Sequence, residues 1–267
     1  MIEDIKSICR EAGQEILKYY GRAGRVEAKA DDSPLTQADR AAHTLICRRL
    51  QSLDPAIPVL SEESDESEIR ERRAWKRFWL VDPLDGTKEF IKQTGEFTVN
   101  IALIRDGQPV LGVIHVPARD RTYFAESGRG AWKEIENREA QAIRVRSAPA
   151  EKGPEAALTI VASRDHAGPQ VQELLARYPD ATATSMGSSL KFCLVAEGAA
   201  DLYLRDVPTM EWDVAAAQCV VESAGGRVLT LNGTSLHYNK ESLRNPPLLT
   251  AGDPALADDV LANLQPK

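Results

Sequence analysis

A short apolar run that stops at two acidic residues constrains this chain more than any other feature. Residues Phe78 to Val81 are aromatic and β-branched, which is typical of a buried strand. Because proline cannot donate to a strand ladder, Pro83 predicts a turn at that point. Asp82 and Asp85 then lie on one loop at the carboxyl end of the strand, where open α/β sheets place their ligands. The sequence therefore predicts a ligand site at this loop.

The residues of the loop suit a divalent cation and a phosphate. Two bare carboxylates this close repel each other unless a cation or a proton lies between them. Carboxylates, a backbone carbonyl and water are the ligands that Mg²⁺ prefers, and Gly86 and Thr87 could offer backbone N–H groups to a phosphate at a helix start. An Asp-Pro turn with an N-cap aspartate would explain a shorter motif. With the glycine and threonine attached, we favour a Mg²⁺-dependent phosphate-ester site.

Composition limits the classes of function. The 267 residues suit one large domain or two closely packed lobes, and a hydrophobic share of 43% can form a sizeable core. A net charge of −7 argues against a surface for nucleic-acid polymers. No apolar segment approaches the length of a membrane span, and the acidic, amphipathic N-terminus is not that of a signal peptide. We expect a cytoplasmic protein, with peripheral association at the inner membrane as an alternative.

The four cysteines are scattered along the chain, and none forms a C-x-x-C pair. We predict that they are buried free thiols in a reducing compartment rather than zinc or redox groups. They are Cys9, Cys47, Cys193 and Cys219.

A second strand end also carries carboxylates. Glu62 and Glu63 directly follow the strand-like run from Pro58 to Ser61. Two strand ends with carboxylates suggest one shared cation site. The alternative is that these glutamates merely begin the charged stretch 65–73, which is predicted to be an exposed loop or helix and a candidate mobile lid.

Two more acids lie at predicted helix starts. Thr36 is a candidate N-cap, and Asp39 would lie in the first turn of a helix that ends near Leu53. Asp213 directly precedes an apolar helix over 214–224. Each acid could simply complement the helix macrodipole or cap the helix, or it could turn its carboxylate toward a cation.

Hydrophobic patterns predict the other elements and a division into two lobes. A helix begins at Ile2 and is ended by Gly21, and Asp106-Gly107 is a hairpin signal. A lobe boundary near 147–154 divides the chain into an N-terminal lobe, 1–147, and a C-terminal lobe, 148–267. We predict strands over 97–104, 109–116, 123–125, 158–162 and 202–204, a helix over 170–177, and a turn over 186–191 that opens a helix running to about Glu197.

Taken together, these blocks resemble the inositol monophosphatase superfamily. The family pattern is an upstream Asp, then Glu-Glu, then D-P-[IL]-D-G-T, then W-D-x-A-A. This chain has Asp39, Glu62-Glu63, 82–87 and 212–216 in that order. The blocks at 95–100 and 187–198 are similar, more specifically, to the CysQ-type branch. Members of that branch are 3′(2′),5′-bisphosphate nucleotidases, which remove the 3′-phosphate of adenosine 3′,5′-bisphosphate.

The resemblance implies a fold, a cofactor and a set of site residues. The fold would be a layered α/β/α/β/α sandwich of two lobes, with two or three Mg²⁺ ions between them. By resemblance, the attacking water would be positioned by Glu62 and Thr87, and Asp39 would hold metal-bound water. The scissile phosphate would meet the backbone of Gly86 and Thr87. The implied metal ligands are Glu62, Asp82, the carbonyl of Leu84, Asp85 and Asp213.

The resemblance also places the substrate contacts in the second lobe. Ser188, Lys191 and Arg205 match positions that contact the sugar-phosphate portion of the nucleotide, and His166 is a candidate adenine contact. Without the motif, Lys191 and Arg205 would read equally well as surface charge. The branch further implies a lithium-sensitive enzyme of sulfate assimilation that is a monomer or homodimer.

Asp206 departs from the nucleotidase pattern. Relatives of that branch often have Phe-Gly where this chain has Asp206-Val207, and an acid near this position contacts inositol hydroxyls in inositol monophosphatases. A monophosphatase for inositol or a sugar phosphate is therefore the alternative function. A metal-occupied regulatory protein without turnover is a third hypothesis, which the intact set of expected catalytic residues disfavours.

Overall fold

The computed structural model describes residues 1–22, 26–28, 34–136, 138–146, 157–162 and 168–264. The helices are α1 (Ile2–Leu17), α2 (Gln37–Leu53), α3 (Glu66–Glu71), α4 (Thr87–Ile91), α5 (Pro169–Arg177), α6 (Leu190–Ala196), α7 (Glu211–Ser223) and α8 (Pro254–Asn263). The strands are β1 (Val26–Ala28), β2 (Pro34–Thr36), β3 (Val59–Ser61), β4 (Arg77–Asp85), β5 (Thr98–Arg105), β6 (Gln108–Val116), β7 (Arg121–Glu126), β8 (Gly130–Ile135), β9 (Gln141–Ile143), β10 (Thr159–Ala162), β11 (Thr182–Ser185), β12 (Leu202–Arg205), β13 (Thr209–Met210), β14 (Arg227–Thr230), β15 (Arg244–Asn245) and β16 (Leu248–Ala251). Short 3₁₀ turns lie at Arg72–Ala74 and Pro117–Arg119.

Two sheets form the frame of the molecule. The first has seven strands in the order β3-β4-β5-β6-β7-β8-β9, and the second has five in the order β11-β10-β12-β16-β14. In the first sheet β3 and β4 are parallel and every other pair is antiparallel. In the second sheet β10 runs parallel to β11 and β12, and β16 is antiparallel to β12 and β14.

Five layers result from the way the helices cover these sheets. Helices α1 and α2 pack on one face of the first sheet, and α7 packs on its other face. Helices α6 and α7 fill the space between the sheets, while α5 and α8 cover the outer face of the second. The predicted α/β/α/β/α sandwich is confirmed. One hydrophobic cluster, which includes Phe78, Val161 and Val220, joins the two sheets through the middle layer.

Local sequence signals account for several of the element boundaries. The predicted hairpin lies between β5 and β6, where Asp106 and Gly107 have φ values of +49° and +75°, as a type I′ turn requires. The first helix is shorter than predicted, because it ends at Leu17 rather than near Gly21. The N–H of Lys18 bonds to the carbonyl of Glu15, so the last turn tightens before Gly21, which has a φ of +75°.

The predicted lobe boundary at 147–154 lies outside the described residues, and the division into 1–147 and 148–267 stays a prediction. In the described part of the chain, no helix combines the length and apolar character needed to cross a bilayer.

The cysteine prediction is correct for three of the four thiols. Cys9, Cys193 and Cys219 are buried, and Cys47 is only half-buried, contrary to expectation. All four are free thiols. Burial raises the pKa of Cys219 to about 12, which makes it a poor nucleophile.

The charged segment 65–73 contains α3 and the start of a 3₁₀ turn, and one of its arginines is buried. Arg72 is 3% exposed. Its Nη1 donates to Asn239 Oδ1 at 2.8 Å and to the carbonyl of Lys240 at 2.7 Å. The C-terminal end of the candidate lid is therefore attached to the loop that follows β14.

Candidate active site

The acidic loop is built on a bulged strand rather than on a turn. The prediction that β4 ends at Pro83 is wrong, because the strand runs on to Asp85. Pro83 has no N–H to donate, and the pairing with β5 skips from Asp82↔Asn100 to Asp85↔Thr98. Such a bulge redirects side chains at functional sites. Here it turns Asp85 toward the second sheet, and Asp82 Oδ1 accepts the N–H of Leu84 at 3.0 Å.

The two strand ends meet as predicted. Because β3 and β4 are parallel neighbours, Glu62 and Asp82 emerge at the same sheet edge. The N–H of Glu62 donates to the carbonyl of Val81 at 3.0 Å. Asp82 is 1% exposed, and Glu62 is half-buried.

Helices α2 and α7 each place an acid at their third position, Asp39 and Asp213, near the acidic loop. Asp39 Oδ2 accepts the N–H of Thr36, and Asp213 Oδ2 accepts the N–H of Met210, each at 2.8 Å. Asp213 is therefore not the N-cap of α7, which begins at Glu211. In both helices one carboxylate oxygen serves the helix start. Asp39 Oδ1 also lies 3.4 Å from the hydroxyl of Thr87, which donates to it.

Electrostatics show how closely the acids converge. Burial, followed by the charges of Glu62, Asp85 and Asp213, raises the pKa of Asp82 well above its ordinary value. Burial, followed by Asp85 and Glu62, does the same for the pKa of Asp213. Burial also raises the pKa of Asp85, while Lys191 opposes that shift. A protein that buries like charges together needs a cation or protons to neutralise them.

The residues present fit a hard divalent cation. In the part of the chain that the structure describes, no group of three or more His, Cys, Asp or Glu side chains is placed to hold a metal ion by itself. An open arrangement of carboxylates suits Mg²⁺, which keeps several waters and takes few protein ligands. All hydrogen bonds that described residues donate to the Asp85 side chain end on Oδ2. They therefore do not compete with a cation for Oδ1. The buried carbonyl of Leu84 accepts the Thr87 hydroxyl at 3.4 Å.

A glycine turn follows the acids. Gly86 has a φ of +90°, and a Cβ there would meet the carbonyl oxygen of Glu96 at 3.1 Å and Ser188 Cβ at 3.2 Å. Only glycine combines this conformation with this close approach. Helix α4 begins at the next residue, Thr87.

A cavity of about 190 Å³ opens beside the acids, and three cationic side chains line it, Lys88, Lys191 and Arg205. Its lining includes Asp85, Asp213, Ser188, Lys191 and Arg205. Lys191 is 6% exposed, which excludes the interpretation of this residue as ordinary surface charge. Its Nζ donates to the carbonyl of Ser188 at 2.9 Å. Burial, with a contribution from Arg205, lowers the pKa of Lys191 to about 8.

Two polar atoms of the cavity residues are buried without a partner among the described residues. They are the hydroxyl of Ser188 and Nε of Arg205. Ser188 also has a φ of +47°, an uncommon conformation for a residue other than glycine. Unpaired buried polar atoms at a cavity are suited to a polar ligand.

Asp206 does not present a free carboxylate to the cavity. Its Oδ2 accepts the N–H groups of Gln170 at 3.1 Å and Val171 at 3.3 Å, and its Oδ1 accepts that of Gly168 at 3.3 Å. It caps the start of α5, and a Cβ at Gly168 would lie 2.2 Å from Asp206 Oδ2. The feature that pointed to an inositol contact is thus explained by a helix cap.

His166, the candidate adenine contact, lies outside the described residues. Sequence reasoning also missed residues that contact the site from buried positions. Thr98 and Asn100 on β5, together with Ser189, surround Asp85. Their only sequence signal was membership of the blocks 95–100 and 187–198.

The model of the inositol monophosphatase family matches residues 1–265. Among curated proteins, the 3′(2′),5′-bisphosphate nucleotidase CysQ of Salmonella typhimurium is 48% identical over 249 residues, which are 92% of this chain and 97% of that protein. The protein of the same name from Haemophilus influenzae is 34% identical over 255 residues, 95% of this chain and 93% of that one.

A solved structure has the same fold. The crystal structure of CysQ from Bacteroides thetaiotaomicron, described as a bacterial member of the inositol monophosphatase family, superposes with a TM-score of 0.79 at 38% identity. The match covers 94% of this chain and 96% of that one.

Proposed function

The chain belongs to the inositol monophosphatase family, and from that premise we propose that it is a 3′(2′),5′-bisphosphate nucleotidase. It hydrolyses the 3′-phosphate of adenosine 3′,5′-bisphosphate, or of its sulfated relative, to release inorganic phosphate. Members of this family generally depend on a metal ion, and we propose two or three Mg²⁺ ions here. The curated relatives that carry the nucleotidase name support this substrate class.

One observation carries the proposal. Buried Lys191 and half-buried Arg205 line the same cavity as the carboxylates of Asp85 and Asp213. A substrate with two phosphates could place one at the acids with their cations and the other beside the two basic side chains. An inositol monophosphate would leave the second location without an anion, and buried cations favour an anionic partner.

We assign the metal ions to Glu62, Asp82, the Leu84 carbonyl, Asp85 and Asp213. When bound, Mg²⁺ acidifies water and neutralises charge on a phosphate. Four of these residues are carboxylates, and burial with neighbouring negative charge raises the pKa values of three of them, Asp82, Asp85 and Asp213. The donor set is the one that this ion prefers.

The remaining residues position the reactants. We propose that Thr87 and Glu62 orient the attacking water, and that Asp39 holds the Thr87 hydroxyl through the 3.4 Å contact of its Oδ1. Backbone N–H groups of Gly86 and Thr87 receive the scissile phosphate. Ser188, Lys191 and Arg205 hold the rest of the nucleotide, and His166 is proposed to contact adenine. Positioning and charge neutralisation then supply most of the rate enhancement.

The test compares two substrates under the same conditions. Phosphate release is measured with Mg²⁺ from adenosine 3′,5′-bisphosphate and from inositol 1-phosphate. We expect kcat/KM to favour the bisphosphate at least about tenfold, which corresponds to roughly 1.4 kcal/mol. A preference for inositol 1-phosphate would replace the nucleotidase with the monophosphatase. No release from either substrate would favour the regulatory protein.

A further inference from the structure

Three polar side chains behind Asp85 form a buried unit that joins the first sheet to the start of α6. Thr98 and Asn100 lie on β5, and Ser189 directly precedes α6. They are 0%, 1% and 1% exposed, respectively. Buried polar groups are expensive unless they are hydrogen-bonded, so their placement next to a carboxylate needs an explanation.

The hydrogen bonds of this unit converge on one oxygen atom. Asp85 Oδ2 accepts the N–H of Ser189 at 2.6 Å, the Asn100 Nδ2 group at 3.4 Å and the Thr98 hydroxyl at 3.4 Å. The Ser189 hydroxyl donates its one proton to Asn100 Oδ1 at 3.0 Å, so Thr98 is the donor at the 2.9 Å contact between the two hydroxyls and shares its proton between Ser189 and Asp85.

The donor inventory fixes most of the directions in this unit. Asp85 can only accept when ionised, and an amide has both a donor and an acceptor end. Asn100 therefore donates to Asp85 and accepts from Ser189. The amide orients the carboxylate and the serine at the same time, which neither a leucine nor an aspartate of similar size could do.

The unit also holds the turn that carries the proposed substrate contact. Ser189 follows Ser188, whose carbonyl accepts Lys191 Nζ at 2.9 Å. The N–H of Gly187 donates to Glu96 Oε2 at 2.9 Å. A Cβ at Gly187 would lie 2.6 Å from Glu89 Cγ and 2.8 Å from the Glu96 carbonyl oxygen, so the turn packs directly on the first sheet's side of the site.

We propose that Asn100, Thr98 and Ser189 are positioning residues. They orient the Asp85 carboxylate so that it can bind a cation, and they fix the position of the 187–189 turn relative to Asp85. The inference rests on the proposed function, because it takes Asp85 as a metal ligand. Since all hydrogen bonds that described residues donate to this carboxylate end on Oδ2, they set the direction of Oδ1. Partners of this kind are typically worth 10–100-fold in metal affinity.

The test measures metal binding without turnover. Mn²⁺ is titrated into metal-free protein in the absence of substrate, and free Mn²⁺ is followed by electron paramagnetic resonance. We expect Asn100→Leu to weaken Mn²⁺ binding about tenfold or more, because it removes the donor to Asp85 and the acceptor for Ser189. Ser189→Ala should weaken it less, since the backbone N–H remains.

Thr122→Val is the matched control. Thr122 is likewise buried, lies on β7 of the same sheet and bonds to His115 rather than to Asp85. Its loss should lower the melting temperature without changing Mn²⁺ affinity. If Asn100→Leu and Ser189→Ala are folded and bind Mn²⁺ within twofold of the unchanged protein, the positioning role is wrong.

A second comparison separates this inference from the proposed function. If the unchanged protein does not bind Mn²⁺, or if Asp213→Asn binds it equally well, the metal assignment itself fails. Should Asn100→Leu fail to fold, Ser189→Ala and Thr98→Val each remove one hydroxyl and carry the same test. If both of these variants bind Mn²⁺ as tightly as the unchanged protein, the inference is overturned.

Discussion

The carboxylates of Asp82, Asp85 and Asp213 are close enough for their charges to influence one another, and all three have raised pKa values. In the metal-free protein these ionised groups oppose folding, because burial and repulsion both disfavour the charge. At the residue scale, these acids therefore lower the folding stability of the metal-free protein, and a bound divalent cation would offset that loss.

Removing one of these charges should separate activity from stability. We expect Asp82→Asn to lower turnover on the order of 100-fold or more, because a charged ligand is lost. The melting temperature of the metal-free protein should stay the same or rise, since repulsion is relieved. Turnover and thermal unfolding in EDTA measure the two effects, with exposed Asp258→Asn as the control. Near-normal turnover at low Mg²⁺ would refute the metal assignment.

Lys191 should discriminate between substrates by their number of phosphates. We expect Lys191→Ala to raise KM about tenfold for adenosine 3′,5′-bisphosphate and much less for a monophosphate, because one charge-assisted contact is lost only with the former. Lys18→Ala, an exposed site on the N-terminal side of the fold, is the control. Equal effects on both substrates would argue against a contact to the second phosphate.

Helix starts do much of the positioning at the element scale. Helices α2 and α7 each use their third residue to bond the N-cap backbone, and those residues are Asp39 and Asp213. An acid is stabilised there by the orphan N–H groups and the macrodipole. The same bond holds one oxygen of each carboxylate in place, so a capping role is compatible with the functional role proposed for each side chain.

Asp206 caps the start of α5 and has a structural role. We expect Asp206→Ala to reduce the free energy of unfolding by about 1 kcal/mol, as loss of a cap does, and to change kcat/KM for the bisphosphate less than about threefold. Denaturant unfolding and steady-state kinetics measure the two quantities.

Asp253→Ala is the counterpart for this prediction. It removes the N-cap of α8, where Asp253 Oδ1 accepts the N–H of Ala255 at 2.7 Å, far from the acids. Similar stability losses in the two variants would support a capping role. A large loss of activity in Asp206→Ala without a matching loss of stability would indicate that Asp206 contacts the substrate.

The whole molecule brings the site together where the two sheets meet. Asp85 comes from the first sheet and Ser189 from the start of α6, and one hydrogen bond of 2.6 Å joins them. Helices α6 and α7 lie between the sheets in a shared hydrophobic cluster. The proposed substrate contacts and metal ligands are therefore held by one continuous core.

Global stability should depend on a buried histidine beneath α1. His115 is 3% exposed, and its Nδ1 lies 3.0 Å from the Thr122 hydroxyl. Burial, followed by the charge of Arg10, lowers the pKa of His115 from 6.5 to about 4. Between pH 6.5 and about 4, this histidine is therefore protonated in the unfolded chain and neutral in the folded protein.

Stability should therefore be fully present above pH 6.5 and fall as the pH drops toward 4. The difference between the two pKa values corresponds to about 3 kcal/mol. We expect His115→Gln to remove this part of the pH dependence, as measured by denaturant unfolding between pH 4 and 7. Exposed His237→Gln is the control, and an unchanged slope in His115→Gln would contradict the assignment.

Much of this site was accessible from local sequence. Residues 82–87 combine a proline, two acids and a glycine within six positions. A short motif of this kind predicts a cation and phosphate site without knowledge of the tertiary structure. Two apolar runs that each end in carboxylates predicted that these two strand ends share one site, and the structure shows that the two strands are parallel neighbours. The strand end at Pro83 was predicted wrongly, because a bulge depends on pairing with β5, which local propensity does not contain.

By itself, the sequence determined the acids at strand and helix starts, because these follow from periodicity, caps and contiguous motifs. The family and its layered fold came from the resemblance that those motifs carry. Only the tertiary structure decided that Lys191 is buried, that Asp206 caps α5, and that Thr98, Asn100 and Ser189 surround Asp85. Asn100 and Ser189 are separated by 89 positions. No local pattern encodes such a contact, since it exists only after both sheets have packed against the same helices.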